Sequence, residues 1–144
     1  MKDLIKLTSI IKGEHPTYVM KNKILLMTRI KDEFTAINMN FSVDDWTYIV
    51  KVKELPEDIN KDINLLKFTN EATGKPVYIA RDAIIEFVKE PGQEVTSISL
   101  MYPISQDFIV AEDEKQKYLN GIMPCFRVIV KESLEEVRKI IEGD

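Results

Sequence analysis

The clearest helical pattern of apolar residues lies at the C-terminal end of the chain. Four aliphatic side chains there recur at the spacing of one helical face: Leu134, Val137, Ile140 and Ile141. Ser133 and Glu136 have the spacing of a capping box, which predicts where this helix begins. A second, shorter helix is expected within residues 55–63, because Pro56 suits a first helical turn.

Most of the remaining chain has the composition and patterning of β-strands, with β-branched and aliphatic runs separated by turn residues. Asn22 and Asp82 are expected at tight bends, since both residue types tolerate unusual backbone angles. The predicted strands are Leu4–Ile11, Tyr18–Met20, Ile24–Ile30, Thr35–Phe41, Trp46–Lys53, Ile84–Lys89, Val95–Tyr102 and Phe126–Val130.

The chain contains two stretches with the same order of turns and apolar runs. The best-matched pairs are Lys6-Leu7-Thr8 with Lys67-Phe68-Thr69, Gly13 with Gly74, and Lys21-Asn22 with Arg81-Asp82. This correspondence predicts an α+β fold, mostly antiparallel β, with two pseudo-repeated β-rich halves each closed by a short helix. The halves are expected at residues 4–63 and 65–141, packed into a single compact domain that spans 1–144.

The second predicted half carries an insertion at residues 103–125, where the first half has a short connection. Connections of this length are uncommon in compact domains, and residues 111–120 have the pattern of a short helix. Two interpretations stay open for this insertion: a role in function or assembly, and a contribution to stability alone.

Residues in the second half resemble a known family. Asp82-Ala83-Ile84, Glu90-Pro91, Val130-Lys131-Glu132-Ser133 and Glu135-Glu136-Val137 follow one another as in that family. The chain over residues 66–141 therefore resembles the FlbD-like small flagellar proteins, and residues 4–63 resemble them more weakly. The resemblance implies a small β-rich unit that binds something or associates. It supplies no established catalytic residues.

Composition and charge restrict the possible functions. The formal net charge of −4 does not favour sequence-independent binding of nucleic-acid polymers, which relies on clustered lysine and arginine. One cysteine and one histidine exclude an intramolecular disulfide, a four-cysteine metal site and a histidine-rich zinc site. We expect a cytoplasmic protein without a membrane span, because no apolar run is long enough and the first residues lack a signal-peptide pattern.

No enzyme motif is present, and the isolated glycines form no phosphate-binding loop. The acidic clusters at 44–45 and 112–114 are typical of a solvated surface. A set of cationic and aromatic residues is more suggestive, since arginine binds phosphates or carboxylates and aromatic rings stack on bases. The predicted ligand-binding residues are Arg81, Arg127, Lys131, Tyr78, Tyr102 and Tyr118. Ordinary surface ion pairing remains the alternative for the cations.

These observations predict a non-enzymatic, homo-oligomeric binding protein that needs no cofactor and no metal. Its partner would be a small anionic ligand, nucleotide-like, held between halves or subunits. Small phage proteins that sequester defence signals are one example of such a function. The alternative is a protein–protein adaptor or inhibitor, flagellar or anti-defence, that acts through a strand edge or the 103–125 insertion.

Overall fold

Antiparallel strands make up most of the fold. The computed structural model describes residues 3–43, 46–105 and 125–143. The strands are β1 (Leu4–Ser9), β2 (His15–Met20), β3 (Ile24–Ile30), β4 (Phe34–Val43), β5 (Trp46–Val52), β6 (Leu66–Thr69), β7 (Pro76–Ile79), β8 (Ile84–Lys89), β9 (Thr96–Ile104) and β10 (Cys125–Val130). The described α-helices are α1 (Pro56–Ile63) and α2 (Leu134–Glu142), and short 3₁₀ turns span Lys21–Lys23 and Arg81–Ala83.

The described strands form two sheets. A seven-stranded sheet has the order β2-β1-β5-β4-β3-β7-β6, and a three-stranded sheet has the order β10-β9-β8. The large sheet is continuous across the middle of the chain because β7 pairs with β3. In that pairing Leu26 lies opposite Ile79, Met27 opposite Tyr78 and Thr28 opposite Val77.

The predicted α+β fold of two pseudo-repeated halves, each closed by a short helix, is wrong. The protein is mostly antiparallel β, and its sheets do not divide at residues 63–65. Strands β6 and β7 were predicted to belong to the second half. In the structure they instead complete the sheet that is formed by the strands of the first half. The physical reason lies in β3, whose apolar run 24–27 is buried and would otherwise form an unpaired sheet edge.

Strands β3 and β7 form a wall shared by two hydrophobic cores. Leu25, Leu26, Val77 and Ile79 face a core that also holds Phe68, Ile98, Leu100, Val128, Val130 and Val137. Ile24, Met27 and Tyr78 face the other core, with Ile5, Leu7, Val19, Ile37, Met39, Val52 and Ile59. The two faces of the β3–β7 pair are therefore both buried, and packing from both sides fixes the side chains on this pair.

Both predicted helices are present. The α2 helix begins with the predicted capping box, in which Ser133 Oγ accepts from the Glu136 N–H and Glu136 Oε1 accepts from the Ser133 N–H. Val137 of α2 is fully buried, and Pro56 lies in the first turn of α1. Neither helix of the described ranges has the length and apolar character that crossing a bilayer requires.

Several predicted features lie outside the described residues. These are the acidic clusters at 44–45 and 112–114, the helix at 111–120, Tyr118 and nearly all of the insertion at 103–125.

Candidate functional site

The two 3₁₀ turns lie side by side and carry matching cations. Each turn connects two strands, Lys21–Lys23 between β2 and β3, and Arg81–Ala83 between β7 and β8. Their flanking residues have nearly the same backbone angles, with φ −73° and ψ 122° at Met20 and φ −66° and ψ 123° at Ala80. The Ala80 N–H donates to the Leu25 carbonyl oxygen over 2.9 Å, so the residue before the second turn is bonded to the start of β3, the strand that follows the first turn.

A cavity of about 460 Å³ opens where these turns meet. Its volume lies in the range of small-molecule sites in proteins. Polar lining residues are Lys21, Asn22, Asn40, Asn64, Arg81 and Asp82. Apolar and aromatic lining residues are Ile24, Leu25, Ile63, Leu65, Ala80, Ala83, Met101 and Tyr102. The cavity thus combines an aliphatic floor with converging polar groups.

Two cationic side chains and one carboxylate line the cavity. Within the described residues, neither Lys21 nor Arg81 forms an ion pair, whereas Arg138 pairs with Glu135 and Glu142, and Lys53 pairs with Glu14 at 3.1 Å. Cations without a carboxylate partner are available to pair with an incoming anion. Among the same residues, no group of three or more His, Cys, Asp or Glu side chains is placed to hold a metal ion.

Asparagines fix the polar wall of the cavity. Asn40 Nδ2 donates to the Asn22 carbonyl oxygen over 3.1 Å and joins β4 to the first turn. Asn64 ends α1 in the left-handed conformation with φ 59°, and its N–H donates to the Asn60 carbonyl oxygen over 2.8 Å. Asn60 Oδ1 accepts from the Leu65 N–H over 2.6 Å. The residues after α1 are therefore held firmly against the cavity.

Tyr102 enters the cavity from the far end of β9, and a buried amide fixes that end. Asn38 of β4 is 2% exposed. Its Nδ2 donates to the Pro103 carbonyl oxygen over 3.3 Å, and its Oδ1 accepts from the Ser105 N–H over 2.8 Å. The two contacts attach the end of β9 to the large sheet directly after Tyr102.

The structure brings together only part of the predicted ligand-binding set. Arg81 and Tyr102 line the same cavity. Arg127 and Lys131 are exposed on and just after β10 and are not among its lining residues. Arg127 Nη1 lies 4.0 Å from Glu90 Oε1, in a partly exposed ion pair of the kind that the alternative interpretation predicts. Tyr118 lies outside the described residues.

Tyr78 belongs to a hydrophobic core instead of the cavity. Its residue is 3% exposed, and it packs with Met27 and Ile59 in the core beneath α1. Burial raises the pKa of the Tyr78 hydroxyl, and the negative charge of Glu57 raises it further. An inward tyrosine on an interior strand contributes to packing, and it offers no ring face to a ligand in this cavity.

Sequence reasoning missed several lining residues, chiefly Lys21, Asp82 and the asparagines at 22, 40 and 64. A signal for three of them was present, because Lys21-Asn22 aligns with Arg81-Asp82 along the chain. Asn40 and Asn64 have no such signal, since their approach depends on how β4 and α1 pack.

A second cavity of about 360 Å³ is lined by Lys6, Leu7, Thr8, Glu14, His15, Pro16 and Glu54. Its carboxylates are already engaged, Glu54 by Thr8 and Glu14 by Lys53. The first cavity is the better candidate site, because it is larger and combines two cations, Lys21 and Arg81, with the aromatic side chain of Tyr102.

The site must be interpreted from its own geometry. The resemblance to the FlbD-like proteins stays a prediction, because no protein-family model, no curated protein and no solved structure matches this chain.

Proposed function

We propose that this protein is a non-enzymatic binding protein that holds a small anionic, nucleotide-like ligand in the cavity between the two 3₁₀ turns. One observation carries the proposal: Lys21 and Arg81 line a single cavity with Tyr102 and have no ion-pair partner among the described residues.

The chemistry of these groups suits a phosphate next to an aromatic base. Arginine offers a planar fork of donors to phosphate oxygens, and lysine adds a compact positive charge. The half-buried Tyr102 offers a ring face for stacking. The buried Ile24, Leu25 and Ala83 add an apolar surface beside the charged groups, against which the base of a ligand can pack.

Binding is tested by isothermal titration calorimetry after a thermal-shift screen of nucleoside monophosphates, cyclic nucleotides and ADP-ribose derivatives. A hydrogen bond to a charged group contributes about 1.5–3 kcal/mol, so Arg81→Gln and Lys21→Gln should each weaken binding by about 10- to 150-fold. Lys23→Gln is the matched control, because Lys23 is exposed on the same turn and does not line the cavity. Absence of stabilisation by every compound would refute the proposal.

Sequestration in the cytoplasm, like that of a defence signal by a phage protein, requires that the ligand is kept and not converted. Mass spectrometry of the compound released by denaturation should therefore recover it unchanged after prolonged incubation. Recovery of a reaction product would indicate an enzyme.

A second candidate function is a protein–protein adaptor, and the β2 edge of the large sheet favours it. Within the described residues β2 pairs with β1 alone, so its outer side is available to another strand. Tyr18 is 63% exposed on this strand. The Lys21 N–H donates to the Asp3 carbonyl oxygen, so in the unbroken β1–β2 register the odd-numbered residues of β2 bond to β1 and the Tyr18 N–H points outward. Tyr18→Pro would remove that outward backbone donor and leave the pairing with β1 in place. Loss of a stoichiometric protein partner in a pull-down with this variant, with the cavity ligand still bound, would favour the adaptor.

Self-association is part of the same proposal. Large apolar side chains are exposed on several strands, including Phe41, Tyr48 and Ile85. Phe41 and Tyr48 contact each other edge to face with ring centroids 6.4 Å apart. Light scattering across micromolar concentrations should detect an oligomer, and a monomer throughout would contradict this part of the proposal.

A further inference from the structure

Asp82 is the only carboxylate among the residues that line the cavity, and it directly follows Arg81 in the second 3₁₀ turn. Within the described residues its carboxylate makes no hydrogen bond and no ion pair. The corresponding position of the first turn holds Asn22, which is neutral. The two turns therefore offer matching cations but different neighbours to the same ligand.

An ionised carboxylate accepts hydrogen bonds and cannot donate them. It repels an anion and disfavours ligands that present only phosphate oxygens toward it. It favours a ligand that presents hydroxyl hydrogens on that side. A ribonucleotide has both kinds of group, an anionic phosphate and a pair of sugar hydroxyls.

We propose that Asp82 is a specificity-determining residue that accepts a hydrogen bond from a ribose hydroxyl of the ligand whose phosphate binds Arg81 and Lys21. This inference rests on the proposed function. Adjacent residues have Cα atoms about 3.8 Å apart, so Arg81 and Asp82 can reach two groups of one nucleotide at once. A carboxylate hydrogen-bonded to a sugar hydroxyl is also how other nucleotide sites recognise ribose.

The proposal predicts that replacing Asp82 lowers the preference for ribonucleotides and raises the affinity for inorganic phosphate. Loss of a hydrogen bond to a charged group corresponds to about a 10- to 150-fold loss of affinity, and the exposed position of Asp82 favours the lower end. Wild-type protein should therefore bind ribonucleotides at least about tenfold more tightly than dideoxynucleotides. Asp82→Asn should reduce this preference, because a neutral amide oxygen accepts a weaker hydrogen bond than a carboxylate, and it should bind inorganic phosphate more tightly, because the repulsion is gone.

The experiment is calorimetry with adenosine, guanosine and cytidine 5′-monophosphates, their 2′,3′-dideoxy counterparts and inorganic phosphate. Wild-type protein, Asp82→Asn, Asp82→Ser and the control Asp62→Asn are compared. Asp62 is an exposed α1 residue that does not line the cavity, so its variant should behave as wild type. Thermal unfolding of each variant checks that it is folded.

The outcomes separate the two proposals. Equal binding of ribo- and dideoxynucleotides by wild-type protein, or a preserved preference in both Asp82 variants, overturns the role of Asp82 and leaves the anion site standing. Failure of wild-type protein to bind any of these nucleotides overturns the role of Asp82 as well as nucleotide binding in this cavity.

Discussion

The carboxylate of Glu132 accepts two hydrogen bonds from Thr69, one at each oxygen. Glu132 Oε1 accepts from the Thr69 N–H over 2.9 Å, and Oε2 accepts from the Thr69 hydroxyl over 2.9 Å. The Lys131 N–H also donates to the Thr69 carbonyl oxygen over 2.8 Å. The end of β6 is thereby attached to the segment between β10 and α2. This contact joins the large sheet to the small one.

Glu132→Gln should destabilise the protein, because the amide nitrogen of glutamine cannot accept one of the two hydrogen bonds. The expected loss in the free energy of unfolding is about 1–3 kcal/mol. Urea denaturation measures it, and a double-mutant cycle with Thr69→Val isolates the pairwise contribution. Glu86→Gln on β8 serves as the control, since Glu86 is exposed. Equal stability of the Glu132 and Glu86 variants would contradict a structural role for this contact.

Glu54 makes the same contact with Thr8, over 2.9 Å to the N–H and 2.8 Å to the hydroxyl, and this predicts a pH dependence. Burial raises the pKa of Glu54, but the hydrogen bonds from Thr8 lower it, and the net shift is downward from 4.5. A lowered folded-state pKa gives stability that is present above the unfolded-state pKa and is lost as the pH falls through the folded-state value.

The stability difference between wild-type protein and Glu54→Gln should therefore be largest near neutral pH and should shrink as the pH falls below about 4.5. Urea denaturation of both proteins between pH 7 and pH 3 measures this difference. A constant difference across the range would show that the ionised carboxylate is not what stabilises the contact.

The sequence predicted local features well, and these are features that neighbouring residues determine. The capping box of Ser133 and Glu136 depends on residues three apart, and both bonds are present. Asn22 and Asp82 were expected at tight bends, and both lie in 3₁₀ turns. A resemblance between two stretches of sequence, however, does not determine how the sheets divide.

The sequence did not predict which strands pair across the middle of the chain. Tyr78 illustrates the consequence, because a tyrosine on a strand with one wet face can reach a ligand, and β7 has no wet face. Tyr78 packs into one hydrophobic core, and Val77 and Ile79 on the opposite face of β7 pack into the other. The contacts of Glu54 and Glu132 with threonines were also missed, since 46 and 63 residues separate the partners.

The turn between β3 and β4 offers a stabilising substitution. Lys31 and Asp32 have φ of 49° and 59°, and the Glu33 N–H donates to the Ile30 carbonyl oxygen over 2.9 Å. Left-handed conformations cost side-chain-bearing residues about 1 kcal/mol that glycine avoids. Asp32→Gly should therefore raise the midpoint of thermal unfolding, by an amount that the greater flexibility of unfolded glycine partly reduces.

Gly92→Ala is the reciprocal control for Asp32→Gly, because it adds a side chain to a left-handed residue instead of removing one. Gly92 has φ +75°, and a Cβ added there meets no atom within 4 Å, so strain of the backbone is the sole cost in the folded state. This variant should lower the midpoint of thermal unfolding. A loss of stability in Asp32→Gly would mean that contacts of the aspartate side chain outweigh its backbone strain.

Asn38 connects the stability of the fold to the candidate site. It is buried, and its amide bonds the Pro103 carbonyl oxygen and the Ser105 N–H, so Asn38→Ala should leave both groups without this partner. We expect a loss of about 1–3 kcal/mol in the free energy of unfolding. Because Tyr102 directly precedes Pro103, the variant should also weaken the proposed nucleotide binding at temperatures where it remains fully folded. Calorimetry well below the unfolding midpoint separates the two effects. Unchanged affinity in a destabilised variant would show that Asn38 supports the sheet without positioning Tyr102.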